Sequence, residues 1–97
     1  MAFVQVIEFT TADIDAVRTL DAEWKAATNG TRTARRHILT RDRTNPDRYL
    51  TFVFFDSYES AMANSQLPET QAAAAKYQNA TKEIAFTDLD VLSDEAL

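Results

Sequence analysis

An α+β domain with elements in the order βαββαβ is what this 97-residue sequence predicts, and three observations carry the prediction. The first is the aromatic run Phe52-Val53-Phe54-Phe55, which passes without a linker into the helix start Asp56-Ser57-Tyr58-Glu59. The second is the recurrence of Ile14, Val17, Leu20, Trp24 and Ala27 at steps of three and four, the signature of an amphipathic helix. The third lies in the run Tyr49 to Phe55, where Tyr49, Val53 and Phe55 occupy one parity and Leu50, Phe52 and Phe54 the other. A strand apolar at both parities is covered on both faces.

Each element follows from its own residues. Residues 3–9 are rich in β-branched and aromatic types and end at Thr10-Thr11, which makes a first strand. A helix follows from Ala12 to Thr28, stopped by Asn29-Gly30. Thr33 to Arg41 and Tyr49 to Phe55 flank residues 42–47, whose Asn-Pro-Asp chemistry favours a turn, so the two strands form a hairpin. Asp56 is expected to accept from the first free helix amides and Glu59 to reach back, a D-x-x-E capping box. The helical region from Ser57 to Ala80 breaks at Leu67-Pro68, because proline lacks an amide hydrogen and clashes with the preceding turn. Pro68 then opens a new helix with Glu69 in its first turn. Ile84 to Leu92 reads as the last strand, and Ser93 to Leu97 as a frayed tail. The order is that of the ferredoxin-like split unit, with helices on one face of an antiparallel sheet. In so short a chain the simplest cover for the other face is a second copy, so a homodimer is expected.

Composition narrows the function classes. The length suits one domain, residues 1–97. The absence of cysteine excludes disulfides, thiolate zinc sites and a cysteine nucleophile, and suits a cytoplasmic setting. No apolar run approaches the roughly 20 residues that span a bilayer, and the first residues lack a basic region followed by an apolar core. A net charge of −5 argues against nucleic acid and anionic membranes as partners. One histidine makes a metal site built from protein ligands improbable, and a lone glycine rules out glycine-rich nucleotide loops.

The charge is uneven. Six arginines (Arg32, Arg35, Arg36, Arg41, Arg43 and Arg48) stand against Asp42 and Asp47, so residues 32–48 carry +4 and the rest of the chain −9. The structural reading is an edge strand shielded by arginines that meet Asp13, Asp15, Asp21, Asp88 or Asp90. The functional one is an anionic ligand or a protein partner, since arginine presents a planar fork to carboxylates and phosphates.

The corner Phe55-Asp56-Ser57-Tyr58-Glu59-Ser60-Ala61, with the element order around it, resembles the dimeric α+β barrel superfamily, which includes antibiotic-biosynthesis monooxygenases, haem-degrading monooxygenases and stress-responsive barrel proteins. The stretches Asn64 to Gln71, Arg32 to Arg36 and Asn45-Pro46 resemble small bacterial members that generally lack an assigned function. The resemblance implies a site residue by residue. The asparagine of strand one becomes Gln5, which keeps an amide donor. The tryptophan that ends strand three becomes Phe55, which keeps a flat wall and loses the indole donor. The haem-ligand position falls near Ala72, and alanine cannot bind iron, so no haem cofactor is expected by that scheme.

His37 is the one side chain suited to proton transfer near neutral pH, although the sequence leaves open which face of its strand it occupies. Trp24 reads first as core packing with a hydrogen-bonded indole. Tyr58, Tyr49 and Tyr77 could orient a phenolic ligand or simply pack. Asn64 sits before the Pro68 break, where freed backbone groups need partners. The run Ala72 to Ala75 either packs closely on the sheet or leaves room for a flat ligand.

The reading is a small-molecule-binding barrel without a cofactor. Gln5 and His37 are the catalytic candidates; Trp24, Arg36, Phe55, Tyr58 and Asn64 would bind an apolar or aromatic ligand. By resemblance, the reaction is cofactor-independent oxygenation of a flat phenolic or polyketide-like compound. The alternative is a non-catalytic carrier or interaction module that uses residues 32–48.

Overall fold

A computed structural model describes residues 2–97. The elements are β1 (Phe3–Thr10), α1 (Ile14–Ala27), β2 (Arg36–Arg41), β3 (Arg48–Phe55), α2 (Tyr58–Ser65), α3 (Pro68–Ala80) and β4 (Lys82–Asp90). The strands form one antiparallel sheet in the order β2-β3-β1-β4, the ferredoxin-like arrangement, with β2 and β4 at its edges.

Local chemistry sets the element ends. Asp13 caps α1 by accepting from the Ala16 amide, and Gly30 takes the left-handed φ of +86° that the chain needs beyond the helix. The expected D-x-x-E box is replaced by a serine pair one residue on. Ser57 is extended, so its hydroxyl reaches the Ser60 amide, and Ser60 Oγ accepts from the Ser57 amide in return. Asp56, just outside the cap, turns to Arg35 instead, with contacts of 2.6 and 3.0 Å. The break at Leu67-Pro68 falls as predicted, and Pro68 is the first residue of α3. β2 starts at Arg36 rather than Thr33, because Thr33 bonds to α2 through its amide to Asn64 Oδ1 and its hydroxyl to the Ser60 carbonyl. β4 begins at Lys82 with Glu83 at φ +54°, beside the register shift against β1.

Strand parity separates the two sheet faces. Tyr49, Thr51, Val53 and Phe55 of β3 are buried, while Leu50, Phe52 and Phe54 are half-buried. On β1 the residues opposite the buried set are Phe3, Gln5, Ile7 and Phe9. The core on this face is divided. One cluster joins Phe3, Val53, Phe55 and Ala61; the other joins Phe9, Val17 and Tyr49; Ile7 packs against both. The rings of Phe9 and Tyr49 stack at 5.7 Å, and Tyr77 meets Phe9 edge-on at 6.0 Å. The opposite face presents Val4, Val6, Ile38, Leu50, Phe52 and Phe54; Val4 is buried, and no helix of the described residues covers the half-buried remainder.

Candidate functional site

A cavity of about 250 Å³ lies on the helix side of the sheet, bordered by Val53 and Phe55 of one core cluster and by Ile7, Tyr77 and Ile84 beside the other. It exists because α3 stands off the sheet. No residue of α3 is buried, and Ala73 and Ala74 offer only methyl groups where larger side chains would fill the gap. The alanine run therefore leaves room rather than packing closely. The volume lies just below the usual range for ligand pockets, and the combination of apolar walls with a few polar groups is typical of them.

Sheet register assembles the polar groups. His37 of β2 is paired with Val53 of β3, Val53 with Gln5 of β1, and Gln5 with Asp88 of β4, so His37, Val53, Gln5 and Asp88 form one row across the sheet. This settles the face of His37: it points to the helices, and it lines the cavity with Gln5. The Gln5 amide is held loosely, by one 3.4 Å contact to Asp88 Oδ1.

The strongest electrostatic feature is a group that sequence reasoning did not assemble. Asp21 of α1 accepts a hydrogen bond from the Tyr77 hydroxyl of α3, and its Oδ2 lies 3.8 Å from His37 Nε2. Burial pushes the Asp21 carboxyl above its ordinary value, against the pull of the Tyr77 hydrogen bond and the His37 charge. Burial, reinforced by the Asp21 carboxylate, pushes the Tyr77 phenol well above its usual range. The signal for Asp21 was legible in principle. Ile14, Val17, Asp21, Trp24 and Thr28 run at steps of three and four, which puts a carboxylate inside the apolar stripe, and Thr28 rather than Ala27 is the buried residue at its end.

The remaining candidates divide. Trp24 lines the cavity, but its indole donates to Thr70 Oγ1 at 2.9 Å, so it offers a wall and no free donor. Phe55 is buried and forms another wall. Asn64 is buried at the cavity edge. Its Oδ1 accepts from the Thr33 amide, which fixes the orientation of the side chain and leaves its NH2 without a partner among the described residues. Thr51, also in the lining, is 2% exposed, and its hydroxyl has no hydrogen-bond partner among the described residues. Tyr58 and Arg36 do not reach the cavity. Tyr58, the first residue of α2 after the Ser57 cap, is 51% exposed and packs edge-on against Phe3. Arg36 lies over the Phe54 ring, because alternation along β2 separates it from His37.

The arginine segment is largely engaged within the chain. Arg35 pairs with Asp56, Arg48 with Glu8 and Asp42, and Arg41 lies over the Tyr49 ring. None of the carboxylates expected for this role is used by these arginines; Glu8 of β1, Asp42 of the turn and Asp56 take it instead. Among the described residues no three His, Cys, Asp or Glu side chains converge as a metal site. No helix among the described residues is long and apolar enough to cross a membrane.

No family model matches the chain, and no curated protein matches it. Solved structures do. SnoaB from Streptomyces nogalater, a cofactor-independent oxygenase, superposes with a TM-score of 0.80 at 14% identity over 96% of this chain and 95% of its own. The chain has the antibiotic-biosynthesis-monooxygenase fold. Rv0793 from Mycobacterium tuberculosis shares that fold with a TM-score of 0.77 at 16% identity, over 99% of this chain and 100% of its own. A further antibiotic biosynthesis monooxygenase does so at 0.73 and 14%, over 96% and 100%. At such identities the antibiotic-biosynthesis-monooxygenase fold is what is shared, and the site rests on this chain's own residues.

Proposed function

We propose that the chain is a homodimeric barrel that binds a flat phenolic or otherwise aromatic small molecule in the helix-side cavity and oxygenates it without a cofactor. The observation that carries the reading is the meeting of apolar walls with Gln5 and the His37–Asp21–Tyr77 group in one cavity. His37 accepts the substrate's acidic proton, with the Asp21 carboxylate stabilising the imidazolium that forms. Gln5 donates from its amide to the developing oxyanion. The electrons come from the substrate. When an activated CH2 becomes C=O, O2 takes four electrons, one oxygen atom enters the substrate and the other leaves as water with the two hydrogens. SnoaB, a cofactor-independent oxygenase of the same fold, supports this chemistry.

The half-buried Phe52 and Phe54 on the sheet face away from the helices support the homodimer reading. An interaction module built on residues 32–48 has less support, because Arg35, Arg41 and Arg48 are satisfied within the chain.

The test is oxygen uptake with anthrone, a flat phenol-forming substrate, together with native mass spectrometry. The expected result is a dimer whose turnover is lost in Gln5→Ala and His37→Ala. Unchanged turnover in both variants would sink the catalytic assignments, and a monomer would sink the dimer.

A further inference from the structure

A second concavity of about 340 Å³ adjoins the first and shares Asp21, Trp24 and His37 with it. Beyond those three residues its lining is basic, with Lys25, Arg32, Arg35 and Arg36 around Ala22 and Ala34. Not all of this charge is free. Arg35 is met by Asp56, and Arg36 lies over Phe54. Lys25 and Arg32 have no carboxylate partner among the described residues. Arg32 is nonetheless held in place, since one guanidinium nitrogen donates to the Lys25 carbonyl at 2.7 Å and the group lies 5.9 Å from the centre of the Trp24 ring. Two unpaired cations therefore face one concavity in a chain whose net charge is −5.

We infer that the ligand of the helix-side cavity carries an anionic substituent, a carboxylate or a group of like geometry, which extends past Trp24 to Lys25 and Arg32. The inference rests on the small-molecule reading above and adds the chemical class of the ligand. Arg32 presents a pre-positioned fork on the face of the one tryptophan, so a planar acid gains a stacking wall and a charge-assisted hydrogen bond together. Asp21 is the opposing charge at the junction. Its two oxygens are directed at Tyr77 and His37, so its field toward the basic side is partly compensated.

The test compares 2-naphthol with 6-hydroxy-2-naphthoic acid, which share a phenolic body and differ by one carboxylate, by calorimetric titration at pH 7 and low salt. The acid is expected to bind about five- to tenfold more tightly. That advantage should vanish in Lys25→Gln/Arg32→Gln and shrink in 0.5 M salt, while 2-naphthol affinity stays unchanged. Lys25→Glu, at an exposed helix position, provides the same comparison should the Arg32 change disturb the end of α1. Equal affinity for the two compounds in the wild type, or an advantage that survives in both variants, would overturn the inference alone. Failure of both compounds to bind would overturn the small-molecule reading, and this inference with it.

Discussion

Asp21 Oδ2 lies 3.8 Å from His37 Nε2, joining the middle of α1 to the edge strand β2, while the other carboxylate oxygen accepts from Tyr77 of α3. Three elements distant in sequence are thus tied at one carboxylate. Its burial costs solvation, and that cost appears in the pH dependence of stability.

Burial raises the folded-state pKa of Asp21 above the ordinary 3.8, so in that window the folded chain binds a proton more tightly than the unfolded chain. The stabilising contribution is complete below the unfolded value and is lost as pH rises through the folded one. Asp21→Asn keeps an acceptor for Tyr77 and removes the titration. Its melting temperature relative to wild type should therefore rise as pH increases from about 3.8. A difference that is flat or falls with pH would contradict the assignment.

Thr51 offers a separate stability test. Its hydroxyl is buried without a partner among the described residues, so Thr51→Val exchanges an orphaned polar atom for a methyl group of the same shape. Denaturant unfolding should show a gain of about 1 kcal/mol. A loss of similar size would mean that the hydroxyl is satisfied in solution.

Ala73→Leu should separate the cavity from the core. The residue lines the cavity from a helix with no buried residue, so the larger side chain meets open space. Stability should change by less than about 1 kcal/mol, whereas 2-naphthol should bind about tenfold more weakly or worse. Unaltered binding would place the ligand elsewhere.

The uncovered sheet face predicts association. Phe52→Asp puts a charge among Val6, Ile38 and Leu50, and should lower the dimer association constant about 100-fold or more, as measured by sedimentation. If wild type and variant sediment alike, this face is not the interface.

The parts of the fold legible in the sequence were those governed by short-range rules. The break at Pro68 follows from proline's missing amide hydrogen, and the two faces of β3 follow from the period of two along a strand. Errors arose where neighbours competed for the same group. Asp56 was a plausible cap until tertiary structure supplied Arg35, and the Ser57–Ser60 pair filled the role locally. Tyr58, a ligand candidate by sequence, is half exposed and lies outside the cavity lining.

For the site, the sequence alone determined which side chains could do chemistry: one histidine, a strand-one amide and a tryptophan, beside an alanine run whose packing it left open. Tertiary structure alone decided that His37 and Gln5 share a row and that Asp21 and Tyr77 converge on His37. The physical reason is that register and helix docking are long-range properties. A one-residue slip of β2 against β3 would carry His37 to the other face, and no local preference in Arg36-His37-Ile38 forbids that slip.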